Sequence, residues 1–225
     1  MNSITAKITS SLDVIIKSEQ ESEGLNQELI AVNWFDTRVE WLYHLYNKLA
    51  SRSVFKVGGS PLFKSKVVED LSDEEGKRMI LLIVKYPHGM AFKKLLQSTY
   101  FKLVSLLRIK AVKKFTFSFT KAIVKPNFSE IKSHYLVHHF NDRTDLKELL
   151  DFIDRESKDL TVNYAGYSFA YLNRKEKGKE LKQISSIIDN ILIISSNNKE
   201  NLKIFKKSKL EKKLHGYSGL MERIF

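Results

Sequence analysis

One order of secondary-structure elements is predicted twice along the chain, and this doubling constrains the fold more than any single motif. Residues 28–121 carry patterns for a strand, a helix, two strands, a helix and a strand. Residues 134–225 carry the same series again. The strands are predicted from short apolar or alternating runs, and the helices from apolar residues at 3.6-residue spacing. The sequence therefore predicts two βαββαβ units in one chain.

In the first unit, strands are predicted at residues 28–35, 62–69, 78–86 and 113–120. The first helix is expected to be capped by Asp36 or Thr37 and to end near Gly58 and Gly59. The second helix is predicted to follow Pro87 without interruption to about Lys110. Its apolar residues are predicted to be buried along one face: Phe92, Leu95, Leu96, Tyr100, Leu103 and Leu107.

In the second unit, strands are predicted at residues 135–140, 162–172, 187–195 and 219–225, with a charged hairpin at residues 173–182. Asn141 or Asp142 can cap the first helix, and Asn197 or Asn198 can cap the second. Gly216 is predicted to end the second helix in a turn. The resulting boundaries are an N-terminal helix and linker at 1–26, a first repeat at 27–121, a connector at 122–133 and a second repeat at 134–225.

The predicted fold class is α+β, with two ferredoxin-like repeats. In such a unit both helices cover one face of a four-stranded antiparallel sheet, so the other face needs cover as well. Residues 79–84 and 187–194 are apolar on both sides and would not tolerate a face in water. We therefore predict that the two sheets pack face to face and close a barrel within one chain, as a built-in pseudo-dimer.

The N-terminal residues predict an amphipathic helix. Five apolar residues fall on one helical face: Ile4, Ile8, Leu12, Ile15 and Ile16. The favoured interpretation is a helix docked on the protein, and the alternative is a membrane-surface or targeting helix. The following residues 18–24 are polar and are predicted to be a linker.

Composition excludes some chemistry and leaves other chemistry open. The chain has no cysteine, which excludes disulfides, thiolate nucleophiles and cysteine-ligated metals. Its net charge of +12 attracts phosphates and anionic lipids whatever the fold. Lysine dominates over arginine, and the aromatic residues fall in predicted strands, so nucleic-acid binding stays an alternative and is not favoured. No apolar run approaches the ~20 residues of a membrane span, and a cytoplasmic protein is predicted.

Residues 86–111 (YPHGMAFKKLLQSTYFKLVSLLRIKA) resemble a segment of the dimeric α/β-barrel superfamily. The similarity comprises an aromatic residue and proline at a strand end, then Ala91-Phe92, then Leu96, Ser98 and Tyr100, then Leu107-Arg108. The superfamily includes antibiotic-biosynthesis monooxygenases, haem-degrading monooxygenases and small uncharacterised proteins. The resemblance implies a barrel fold, here with both copies in one chain.

The resemblance also implies where catalytic residues would lie. Haem-degrading members use an asparagine on the first strand, which Asn33 matches, with a tryptophan and a histidine on the second helix. The alignment places Leu95 at the tryptophan position and Ser105 at the histidine position. The resemblance therefore does not imply haem degradation for this chain.

Histidines and glycines do not form a known metal or nucleophile motif. His138 and His139 are adjacent in a strand, so their side chains leave opposite faces and cannot share one metal ion. Ser218, in a Gly-Tyr-Ser-Gly sequence, lacks the spacing of a nucleophile elbow and is interpreted as part of a turn. No metal and no cofactor are predicted, and a haem held by one histidine stays open because fused chlorite-dismutase-like relatives bind haem.

Four polar residues are the candidate catalytic and binding residues: Asn33, Tyr86, His88 and Arg108. They are predicted near one end of the first unit, where Tyr86 and His88 flank a proline at a strand end. The leading hypothesis is a protein that binds a small apolar or aromatic molecule in a cleft between sheet and helices, as a relative of cofactor-independent monooxygenases or isomerases. The alternative is a non-catalytic scaffold or regulatory module that binds an anionic partner, a nucleic acid or an acidic protein, through its basic surface. No signature decides whether the chain is an enzyme.

Overall fold

The strands and helices follow one another along the chain in the predicted order. The structure, a computed structural model, describes residues 28–71, 79–140, 146–156, 159–174, 181–183, 190–206 and 216–224. The first series comprises β1 (Leu29–Thr37), α1 (Glu40–Lys56), β2 (Ser60–Asp70), β3 (Ile80–Tyr86), α2 (Gly89–Gln97), α3 (Thr99–Ala111) and β4 (Val112–Val124). The second comprises β5 (His134–Phe140), α4 (Leu146–Glu156), β6 (Thr161–Arg174), β7 (Leu181–Gln183), β8 (Asn190–Ser196), α5 (Lys199–Lys206) and β9 (Gly216–Arg223). The predicted α+β class is confirmed.

Contacts divide the chain into two units. Unit 1 comprises Met1–Leu62, Leu82–Phe119 and Ala170–Ile184, and unit 2 comprises Phe63–Leu81, Thr120–Phe169 and Ser185–Phe225. In unit 1 the hydrogen-bonded strand order is β4-β1-β3-β2. In unit 2 it is β2-β9-β5-β8-β6, and β6 also pairs with β4. The pairs of β5 with β8, β5 with β9 and β6 with β8 are antiparallel.

The two faces of the unit 1 sheet follow the alternation of its strands. On the helix-covered face, the ring of Phe35 lies 5.0 Å from that of Tyr43 in α1. The rings of Phe117 and Phe119 on β4 lie 5.7 and 4.9 Å from that of Phe92 in α2. Phe117 and Phe119, two residues apart on β4, therefore point to the same face of the sheet. Trp34 is buried on the opposite face of β1.

Helix α1 begins later than predicted. Its N-cap is Val39, which makes no side-chain capping bond, so the prediction of Asp36 or Thr37 as the cap is wrong. Strand β1 continues through Thr37, which leaves both residues in the sheet. The backbone amides of Arg38 and Val39 donate instead to the carbonyl of Ala111, at 2.7 and 3.2 Å. The end of α3 thus anchors the two residues that precede α1.

The predicted second helix is two helices, because Ser98 leaves the helical conformation at φ −60° and ψ 123°. Its hydroxyl accepts from the amide of Phe101 at 3.3 Å and caps α3. The break changes the phase of the helical faces. Leu95 and Leu96 of α2 are buried as predicted, but Tyr100 and Leu103 of α3 are 43% and 63% exposed. The prediction that these two residues are buried is wrong.

The helix-covered face of unit 2 is an aliphatic core. Helices α4 and α5 pack on strands β5, β6, β8 and β9 there. The cluster consists of Leu136, Leu146, Leu149, Ile153, Ala165, Leu192, Ile194, Leu202, Phe205 and Leu220. Leu146, Leu149 and Ile153, which are spaced at helical intervals along α4, all lie in this core.

The other face of unit 2 is filled by aromatic rings. Phe63 stacks on Phe128, with 4.5 Å between ring centroids, and its ring lies 5.0 Å from that of Tyr135. Tyr164 makes a hydrogen bond with Thr120, the residue at which β4 enters unit 2. Since Phe63, Tyr135 and Tyr164 are all fully buried, this face is packed by side chains.

A β-bulge in β2 sets the position of an ion pair. Val67 pairs with Met221 and Glu69 with Leu220, so Val68 is an additional residue between them. Glu69 accepts from Lys199 at 2.8 Å and from Lys203 at 3.0 Å, and both lysines belong to α5. The predicted cap of α5 is confirmed, because the Asn198 side chain accepts from the amide of Glu200 at 3.0 Å.

The Glu69 ion pairs predict a pH-dependent contribution to stability. Hydrogen bonds from Lys199 and then Lys203 lower the pKa of this carboxyl below its ordinary 4.5. A lowered folded-state pKa means that the contribution is present above pH 4.5 and is lost as pH falls through the folded value. We expect Glu69→Gln to destabilise the protein slightly at pH 7, and this difference in stability to shrink as the pH is lowered below 4.5, measured by urea unfolding. Glu222→Gln removes the same charge from an exposed residue of β9 and is the control. A difference in stability that stays constant as the pH falls below 4.5 would contradict this account.

Two other features of the second series differ from expectation or lie outside the described residues. Strand β9 begins at Gly216, so Gly216 to Gly219 do not form the predicted turn. Asn141 and Asp142, which were predicted to cap a helix, lie outside the described residues. The residues of the predicted N-terminal helix lie outside them as well. Among the helices that the structure describes, none has the length and apolar character needed to cross a membrane.

Candidate functional site

Tyr86 ends strand β3 and is buried against the helices of unit 1. Its ring meets that of Phe92 edge-on, with centroids 5.0 Å apart. The turn after α1 also approaches it, since a side-chain carbon added at Gly59 would lie 2.8 Å from the Tyr86 ring. Gly58 has φ +78°, which favours glycine, and completes this turn beside Pro87. The phenol is thus held by a strand end, a helix and a turn.

Arg108 approaches this region from α3. Its guanidinium carbon lies 4.9 Å from the centroid of the Phe115 ring, a cation–π distance. The charge of Arg108 acts on the phenols of both Tyr86 and Tyr43, and Tyr46 also interacts with both. We call Tyr43, Tyr46, Tyr86 and Arg108 the Tyr/Arg cluster. Its members come from α1, β3 and α3.

Burial dominates the ionisation of the two inner phenols. Desolvation raises the pKa of Tyr86 far above its ordinary 10.0, with a further increase from Tyr46 and a decrease from Arg108. Desolvation likewise raises the pKa of Tyr43, against a lowering by its hydrogen bond with Asn47. Both phenols are therefore neutral at physiological pH and can donate a hydrogen bond, but neither can serve as a base.

His88 is the N-cap of α2. Its Nδ1 accepts from the amide of Ala91 at 3.2 Å, so Nδ1 carries no proton in this arrangement. The neutral ring then has its proton on Nε2, which is a donor. His88 therefore fixes the start of the helix that carries Phe92, and only its second nitrogen is available to a ligand.

Asn33 is half-buried in the middle of β1. Its side-chain amide donates to the carbonyl of Leu82 on β3 at 3.2 Å. The bond adds a side-chain link between neighbouring strands. Of the four candidate residues, Tyr86 and Arg108 thus interact electrostatically with each other. The side-chain hydrogen bonds described for Asn33 and His88 are made to backbone groups instead.

Sequence reasoning did not include Tyr43 and Tyr46 among the candidate residues. A usable signal existed, because a buried phenol needs a polar partner that a leucine does not need. Two tyrosines three residues apart lie side by side on a helix, so they bring two hydroxyls to the same surface.

Unit 2 holds a second polar pair. His138 on β5 and Ser218 on β9 are opposite one another in the antiparallel register, and the Nδ1 of His138 is hydrogen-bonded to the hydroxyl of Ser218. Both residues are buried, so the pair joins two strands inside the unit. Across the described parts of the chain, no cluster of three or more His, Asp or Glu residues is arranged to hold a metal ion.

Comparison with known proteins gives a distant likeness in structure and none in sequence. No protein-family model matches the chain, and no curated protein matches it. An anthrone oxidase-like protein is similar over 88% of this chain and 92% of its own, at 12% identity and a TM-score of 0.49. Chlorite dismutase from Candidatus Nitrospira defluvii, in complex with imidazole, is similar over 92% and 94%, at 11% identity and 0.43.

A protein of unknown function from Rhodopseudomonas palustris matches a smaller part of the chain. It covers 49% of this chain and 93% of its own length, at 15% identity and a TM-score of 0.43.

Proposed function

We propose that the protein binds a small aromatic molecule carrying one acidic oxygen at the Tyr/Arg cluster of unit 1. The observation that carries this proposal is a group of aromatic rings with one guanidinium: Tyr43 lies 6.2 Å from Tyr46 and 5.0 Å from Phe35, and the guanidinium carbon of Arg108 lies 4.9 Å from the centroid of the Phe115 ring. Arg108 and Tyr46 are half-buried, whereas Tyr43 and Tyr86 are buried. A ligand would therefore approach through Arg108 and Tyr46 and reach the inner phenols with its ring.

The chemistry of the cluster favours an anionic aromatic ligand over an apolar hydrocarbon. Arg108 supplies the fixed positive charge, and a guanidinium binds a carboxylate or phenolate with charge-assisted hydrogen bonds. The neutral phenols supply donors that do not change with pH in the physiological range. The rings of Phe35 and Phe92 lie 5.0 Å from Tyr43 and Tyr86 respectively, so the inner phenols stand in an aromatic environment. Such a site distinguishes ligands by charge and ring together.

Binding of three matched probes tests the proposal: 2-naphthoate, 2-naphthol and naphthalene, by isothermal titration calorimetry. We expect 2-naphthoate to bind and Arg108→Met to weaken it by tenfold or more, since a hydrogen bond to a charged group contributes about 1.5–3 kcal/mol. Naphthalene binding should not depend on Arg108. Lys110→Met removes an equal charge from an exposed residue of the same helix and should leave naphthoate binding unchanged.

Two results would overturn the proposal. The first is that none of the probes binds at millimolar concentration. The second is that Lys110→Met weakens naphthoate binding as much as Arg108→Met does, because that result would assign the attraction to net charge. Thermal-shift measurements with haem and flavins, run in parallel, test whether a cofactor occupies the site.

We further propose that the two βαββαβ series are a tandem ferredoxin-like repeat. The support is the strand order, β4-β1-β3-β2 in the first series and β9-β5-β8-β6 in the second, which is the same order of elements in each. The barrel closure, the domain boundaries at residues 27–121 and 134–225, and a cytoplasmic location stay predictions. A monooxygenase or isomerase reaction also stays a prediction; under it Arg108 would stabilise the ligand's anion, and Asn33 and His88 would position neighbouring backbone.

The alternative, an anionic macromolecular partner, has less support in the described residues. Lys199 and Lys203 contribute to the positive charge of the chain, yet both are bound to Glu69. These two charges therefore hold α5 on β2. A salt-dependent interaction with generic RNA or DNA, combined with no binding of the aromatic probes, would favour this alternative.

A further inference from the structure

Two packed helices of unit 1 present exposed apolar side chains. On α1, Trp41 is 68% exposed and Leu45 is 40% exposed. On α3, Leu103 is 63% exposed, and Tyr100 and Leu106 are 43% exposed. Helices α1 and α3 pack against each other, and the Tyr100 hydroxyl donates to the carbonyl of Leu49 at 3.4 Å. We call these five residues the α1/α3 apolar face. A grouping of this kind usually marks a binding surface.

A second apolar stripe lies in the same chain. Ile4, Ile8, Leu12, Ile15 and Ile16 would occupy one side of a helix formed by residues 4–16. A helix of 13 residues is roughly 20 Å long, and the 17-residue helix α1 is roughly 25 Å long. The predicted helix is thus long enough to cover the α1/α3 apolar face, which extends over roughly 9 Å of α3 from Tyr100 to Leu106.

The chain enters unit 1 at a place that lets the segment reach the face. Glu28, just before β1, accepts from Lys85 at 2.9 Å. Lys85 adjoins Tyr86, which in turn lies beside Gly59 at the end of α1. Residues 17–27 can span up to roughly 35 Å when extended, which is longer than α1. The segment can therefore lie along the helices.

Charge along this path is complementary. The linker carries Glu19, Glu21 and Glu23. The last turns of α1, at the end where the chain enters, carry three exposed cations: Lys48, Arg52 and Lys56. Opposite charges favour the linker running beside this end of α1, although exposed pairs contribute at most about 1 kcal/mol each.

We propose that residues 4–16 form an amphipathic helix that packs intramolecularly on the α1/α3 apolar face. A tether of this length keeps the segment at an effective concentration on the order of millimolar, which favours it over an external partner. The helix would cover Trp41, Leu45 and Leu103 with its isoleucines. A membrane surface or a second copy of the chain are the competing occupants.

Disulfide cross-linking tests the proposal without background, because the 225-residue chain has no cysteine. We expect Leu12→Cys combined with Leu45→Cys or Leu103→Cys to form an intramolecular disulfide under mild oxidation, seen as a faster-migrating monomer on a non-reducing gel. Ser10→Cys lies on the opposite side of the predicted helix, and its pairs with the same partners are the matched control. Its cross-linking should be at least tenfold slower.

Tryptophan quenching gives a second readout that does not depend on cysteine geometry. The chain has two tryptophans, and Trp34→Phe leaves Trp41 as the only tryptophan, which excitation at about 295 nm selects over the tyrosines. Leu12→Asp in this background should raise acrylamide quenching of Trp41 at least twofold. Disulfide-linked dimers in place of monomers would assign the face to a second copy. The proposal would be overturned if the Ser10→Cys pairs cross-linked as fast as the Leu12→Cys pairs, or if Leu12→Asp left the quenching of Trp41 unchanged. It would also be overturned if the protein co-sedimented with anionic vesicles both with and without Leu12→Asp, by way of the α1/α3 apolar face.

Discussion

Replacing Phe63 with alanine should lower the free energy of unfolding by about 3–5 kcal/mol. The side chain is fully buried, stacks on Phe128 at 4.5 Å and lies 5.0 Å from the Tyr135 ring. Truncation would remove these contacts and leave a cavity between two rings that are themselves held by the backbone. Urea unfolding followed by circular dichroism measures the change.

The control for this variant is Ile131→Ala, which truncates an apolar side chain that is 77% exposed in the same unit. Its expected effect is within about 0.5 kcal/mol. Phe63→Leu should be intermediate, since leucine fills part of the volume. A loss below about 1 kcal/mol for Phe63→Ala would mean that this aromatic group is not a tightly packed core.

Gly166→Ala should destabilise the protein by on the order of 3 kcal/mol. A methyl group on Gly166 would lie 2.7 Å from the carbonyl oxygen of Lys121 and 2.8 Å from the Tyr164 hydroxyl. The first of these atoms is backbone, so the pairing of β6 with β4 must shift. The second belongs to the hydrogen bond between Tyr164 and Thr120, which the shift would disturb.

Gly219→Ala is the matched control for this prediction. Its nearest neighbour would be a side-chain methyl of Val67 at 3.1 Å, which can move by a few tenths of an ångström. We therefore expect a loss of less than about 1.5 kcal/mol at Gly219, measured by the same unfolding assay. Equal losses at the two glycines would show that close approach to backbone is not the cause.

Regular patterns predicted the elements well because burial enforces periodicity. Strand β8 is buried along its whole length, and its near-continuous apolar run identified it. The helix α4 was identified from Leu146, Leu149 and Ile153, which all enter the same core. In such segments the local pattern and the tertiary contacts select the same structure.

The prediction of Asp36 or Thr37 as a cap was wrong because a backbone carbonyl distant in sequence binds the residues that precede α1. Nothing local to Asp36 indicates that the carbonyl of Ala111 will bind the start of α1. The break at Ser98 is visible only weakly, as a serine that can cap the next helix. Only part of the Tyr/Arg cluster was among the candidate residues: Tyr86 and Arg108 were named from the sequence, whereas Tyr43 and Tyr46 join them only when α1 is placed beside β3.

The additional residue at Val68 has a consequence for how β2 tolerates change in length. Because residues alternate between faces, the extra residue turns Glu69 to the side of Leu220, where α5 supplies its two lysines. Deleting Val68 would remove the bulge and leave Glu69 directly after Val67, still opposite Leu220 and still on the side of the two lysines. Deleting a regular residue of the strand would instead shift the alternation of the residues after it, so Val68 is the position at which β2 can be shortened by one.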